Sequence, residues 1–191
     1  IQQSVAENLE SLFDMLGQLD IDFHIAVTST DALSGEGPAQ GRFSKYGAAA
    51  VVTRDTPNAL AVLKSNVKLG ASGASAEMPT WAARQALGLL PIQKRIVPTE
   101  NIGFLREEAR LGIVIVTNAD DSSIGTYSEL FFGLRDLKGR GNDKDLFLGV
   151  VAFDSFDRNR LGASWQPSRI PAAGCQTPSV EGGRYDGLFW G

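Results

Sequence analysis

Leu111-Gly112-Ile113-Val114-Ile115-Val116-Thr117 is the stretch on which the fold turns. It is apolar at consecutive positions, so both of its faces call for burial, as in a central strand of a parallel sheet. Leu146-Phe147-Leu148-Gly149-Val150-Val151-Ala152-Phe153 repeats that character downstream. Between the two, Tyr127, Leu130, Phe131, Leu134 and Leu137 recur at helical spacing and predict a helix from about Thr126 to Leu137. Strand, helix and strand in that order indicate an α/β sheet with parallel crossovers.

Working outward, Ile1, Val5, Leu9, Leu12, Phe13, Leu16 and Leu19 form one apolar helical face. Leu19–Asp22 ends that helix, and Phe23–Thr28 follows as a short strand closed by the polar run Thr28–Asp31. Ala32–Gln40 carries Gly35, Gly37 and Pro38 and reads as a surface loop. Ala48–Thr53 is a weaker strand. Thr56-Pro57 signals a helix start, with Leu60, Leu63 and Val67 as its stripe. After the interruption Gly70–Ser75, a third helix is expected from about Glu77 to Leu89, with Met78, Trp81, Ala82 and Leu89 facing inward.

The whole chain has 191 residues, 43% hydrophobic and 21% charged, which suits a single domain over residues 1–191 with a real core. No apolar run approaches the roughly 20 residues that span a bilayer. A net charge of -4 argues against nucleic acid as the main partner. The single Cys175 cannot form a disulfide within the chain. Ile1 opens a helix in full stride and Tyr185–Gly191 stops at a helix start or loop, which reads as a fragment or processed chain.

Ligands of such sheets sit at the carboxyl ends of the strands. Those ends are the loops starting at Thr28, Asn118 and Asp154, all rich in Ser, Thr, Asn and Asp. Asp120-Asp121-Ser122-Ser123 offers oxygens suited to magnesium, calcium or manganese, or else Asp120 and Ser122 cap the helix near Thr126. Gly70–Ser75 is an anion cradle without the lysine of a P-loop, or a plain turn. His24, alone in a strand pattern, has no second histidine or cysteine beside it to build a zinc site, and no neighbour activates Cys175. Asp154, Asp157 and Arg158 either line the same face or are solvated loop charges, the commoner case, and Trp165, Phe189 and Trp190 are packing residues or partner contacts.

Several stretches together resemble a von Willebrand factor type A domain, of the subgroup in bacterial surface proteins and lipoproteins of myxobacterial type. They are the opening helix followed by Asp22–Asp31, the Gly/Ser loop with Glu77, and above all Asn101–Leu111 running into Ile113–Thr117 and Asn118–Asp121. Leu137-Lys138-Gly139, Leu146–Phe153 and Gly183-Arg184-Tyr185 continue the pattern, so the resemblance covers nearly the whole chain. It implies a doubly wound, Rossmann-like, mostly parallel sheet flanked by helices. It also implies that the family's first strand, which ends in Asp-x-Ser-x-Ser, would precede Ile1, and that Cys175 would pair with a cysteine further downstream. Without that strand the sheet would have two unpaired edges.

The resemblance further implies a metal-ion-dependent adhesion site, completed by a partner's carboxylate. Its Gly-Thr-x-Gly pattern falls on Gly70-Ala71-Ser72-Gly73, which leaves Ala71 without a ligand oxygen and Ser72 as a substitute. Its aspartate falls on Asn118, and Asp120 matches a second acidic position. Ser72, Asn118 and Asp120 are thus the candidate metal ligands, for a divalent cation held weakly or not at all. Thr30, Asp31, Ser75, Asp121 and Ser122 are the candidate ligand-binding residues. The expectation is a non-enzymatic recognition domain in the cell envelope or exterior, binding a protein or cell-surface ligand. A magnesium-dependent hydrolase or phosphoryl-transfer enzyme using Asp120 and Asp121 is the alternative, and a purely structural domain is a third.

Overall fold

A computed structural model describes residues 2–35, 37–70, 72–90, 97–117, 121–125, 127–139 and 143–152. Among them run helix α1 (Gln2–Gln18), strands β1 (His24–Ile25) and β2 (Val52–Thr53), helices α2 (Ala59–Asn66) and α3 (Pro79–Ala86), strand β3 (Leu111–Thr117), helix α4 (Tyr127–Lys138) and strand β4 (Leu146–Ala152). The fold is mixed α/β, and the described residues form two small two-stranded sheets.

β3 and β4 pair in parallel over seven residues, from Leu111 opposite Leu146 to Thr117 opposite Ala152, with α4 as the connecting helix. The expected parallel crossover is therefore present. β1 and β2 pair antiparallel over only two residues, His24 with Thr53 and Ile25 with Val52. The predicted strand Phe23–Thr28 is thus a ladder only at His24–Ile25. Beyond it, isolated bonds continue the edge: Ser44 donates its N–H to the Val27 carbonyl (2.7 Å) and Ser29 donates to Pro38 (3.2 Å).

Each sheet has its own core. Ala6, Leu9, Val52, Leu63 and Val67 bury together where α1 and α2 pack over β1 and β2, with Phe13 and Phe23 edge to face at 5.6 Å. Ala83, Leu87, Leu111, Leu130 and Leu134 bury together where α3 and α4 meet β3. The periodic leucines of α4 serve as expected: Leu130 and Leu134 are fully sequestered. Ala82 and Met78 of the third helix are buried, in a small cluster with Ala32.

The double burial expected of Leu111–Thr117 is not found. Burial alternates along β3, and Val114 is 58% exposed. The physical reason is that one face of the β3–β4 pair packs on α3 and α4 through Leu111 and Ile113, while on the other face Val114 and Phe147 stay exposed.

Polar ties join the halves. Buried Asn101 accepts from the Phe43 N–H (2.8 Å) and donates to the carbonyls of Gly41 (2.8 Å) and Ala86 (2.9 Å). Gly41 has φ of +74°, and a Cβ there would lie 2.3 Å from the Ala86 nitrogen, so glycine is required where this loop crosses the end of α3. Phe43 meets Phe104 edge to face at 4.9 Å. His24 Nδ1 lies 2.9 Å from the Phe104 carbonyl and donates to it, which explains the lone histidine as a structural tie. Arg106 pairs with Asp22 across the same boundary.

Candidate functional site

Between the two sheets lies a cleft of about 1020 Å³. One wall is the Ile25–Asp31 segment and the other is the Leu111–Val116 part of β3. Val5, Leu9 and Leu12 of α1 line it, as do Ala82, Ala83 and Ala86 of α3. Its interior is therefore apolar, while its rim, at the end of the first wall, carries Thr28, Ser29, Thr30, Asp31, Ser72 and Glu77.

The rim is built by loops that the sequence separates and backbone bonds reunite. Met78 donates its N–H to the Thr30 carbonyl (2.8 Å), and Ser122 donates to the Glu77 carbonyl (2.8 Å). Asp31 is the knot. Its Oδ1 accepts from the N–H groups of Leu33 (3.0 Å) and Ser34 (2.9 Å), and its Oδ2 accepts from Ala74 (3.0 Å). Burial opposes the Asp31 charge, but these bonds and the Ser34 hydroxyl outweigh it and hold the carboxyl down at about 2. Glu77 goes the other way: burial first, and then the negative charge of Asp31, push its carboxyl above the usual range. The Thr30 hydroxyl donates to Glu77 Oε2. Two neighbouring carboxyls thus differ in proton affinity because only one of them is wrapped by N–H donors.

The third carboxyl on this side is Asp121, which is buried. Its Oδ2 accepts from the Thr80 hydroxyl (2.5 Å) and its Oδ1 from the Ser123 N–H (2.8 Å). Ser123 Oγ accepts from the Trp81 N–H (2.9 Å) in the first turn of α3. Met78 occupies the N-cap of α3 and has no side-chain oxygen to offer, so the cap comes from 42 residues away. The Asp121–Ser123 end of the proposed cation loop serves α3 in this way.

Of the residues singled out from sequence, Thr30, Asp31 and Ser72 line the cleft together. Asp31 is a loop anchor with both oxygens engaged. Ser75 is exposed on the same loop as Ala74, and Ser122 is exposed beside Glu77. Asp121 belongs to the α3 cap network. Asn118 and Asp120 lie outside the described residues, as do Ala71, Asp154, Asp157, Arg158, Trp165, Cys175, Phe189 and Trp190. Among the described residues no group of three or more His, Cys, Asp or Glu is placed to hold a metal ion, and no helix is long and apolar enough to cross a membrane.

Sequence reading missed the part played by Thr80, and gave Glu77 no role at the site. A Pro-Thr pair opening a helix behind a methionine was the available signal, because an N-cap without an acceptor needs one from elsewhere. Arg84 was also missed. It is buried on α3, donates from Nη1 to Glu129 Oε2 (2.7 Å) and stacks on Trp81 at 5.1 Å, tying α3 to α4. Comparison of the chain with protein-family models, with curated proteins and with solved structures returned no match.

Proposed function

We propose that this chain is a non-enzymatic recognition domain related to von Willebrand type A domains, with their doubly wound α/β organisation, and that it binds a protein or cell-surface ligand at the cleft rim. The observation that carries the reading is the convergence of Thr30, Asp31, Ser72 and Glu77 on one rim, held there by the Met78–Thr30 and Ala74–Asp31 bonds. A preformed concave site with a few polar groups around an apolar interior suits binding. A divalent cation would be held only weakly, because the Asp31 and Asp121 oxygens already accept from the protein and Ala71 offers none. The cell envelope or exterior is the corresponding location.

Asp121 is the carboxylate that a hydrolytic reading would enlist, and its bonds to Thr80 and Ser123 favour recognition over catalysis. The test is selection of binders from a disulfide-cyclised random peptide library on the immobilised chain. Ser72 is exposed at the rim, so Ser72→Trp should abolish binding of the selected peptides at an unchanged melting temperature. Peptides that bind Ser72→Trp as well as the parent chain would place recognition elsewhere.

A further inference from the structure

We draw no further inference here: the strongest candidate, the apolar face of the β3–β4 pair on which Val114 and Phe147 are exposed, is a sheet face turned away from α3 and α4, and nothing in the structure shows what covers it.

Discussion

The amino-terminal and carboxyl-terminal halves solve the same packing problem with different means. Both lay helices against a two-stranded sheet, an arrangement that is marginal unless an apolar face is covered. The carboxyl-terminal half has a seven-residue parallel ladder and a helix that links its strands directly. The amino-terminal half has a two-residue antiparallel ladder and relies on α1 packing on α2 over Val52 and Leu63. In one half the backbone holds the sheet; in the other, the helices do. Elements with few ladder bonds and open edges belong to the less stable end of a structure, so the amino-terminal half should open first.

The largest effects should come from the two cores. Leu63→Ala and Leu130→Ala each remove a fully buried leucine and should cost roughly 2–5 kcal/mol by denaturant unfolding. Their signatures should differ. Leu63→Ala should speed amide exchange in residues 2–67 with little change in β3 and α4, and Leu130→Ala should do the reverse. Identical exchange patterns would break the comparison.

Asn101→Ala comes next, at about 3 kcal/mol, because it leaves the Phe43 N–H and the carbonyls of Gly41 and Ala86 without partners. It cuts a tie between halves, so exchange should rise on both sides of the cleft. A change confined to one side would mean that Asn101 is not a joint.

The rim carboxyls give a pH signature of opposite signs. The folded-state value of Asp31 is depressed, so its stabilisation, about 2 kcal/mol, is present above the ordinary 3.8 and lost as pH falls to about 2. Asp31→Asn should flatten that acid limb of the stability curve. Glu77 is raised, so its folded form is favoured below the ordinary 4.5 and penalised as pH rises past it. Glu77→Gln should remove that decline. If the two variants show the same slope as the parent, the rim is not built as described.

The smallest effect is expected at the surface. Lys64 and Glu10 pair at 2.5 Å across α1 and α2 with Glu10 exposed, and Glu10→Gln should leave the melting temperature unchanged within measurement.

How much of this was legible in the sequence follows from the range of each interaction. β3 and β4 were readable because each is a continuous, β-branched-rich apolar run of strand length, and α1 because its stripe repeats every three or four residues. Their bounds agree closely with Leu111–Thr117, Leu146–Ala152 and Gln2–Gln18. Phe23–Thr28 has the same apolar look but is a ladder for two residues only, because pairing depends on a neighbour that local sequence does not contain. The polar strand end at Thr30 and Asp31 was legible as a rim for the same local reason. Glu77, Thr80 and Ser123 were not. Their bonds to Thr30, Asp121 and Trp81 join residues more than forty positions apart, and no spacing rule reports such pairs. Val114 shows the converse, since its sequence called for burial and it lies on the sheet face that α3 and α4 do not cover, where Phe147 is exposed too.

A core divided by the cleft into two units of unequal stability has a direct signature in native-state hydrogen exchange of the whole chain in rising denaturant. The α1 and α2 amides should exchange through an opening of lower free energy than those of β3 and α4. A single opening free energy shared by all four elements would rule out that division.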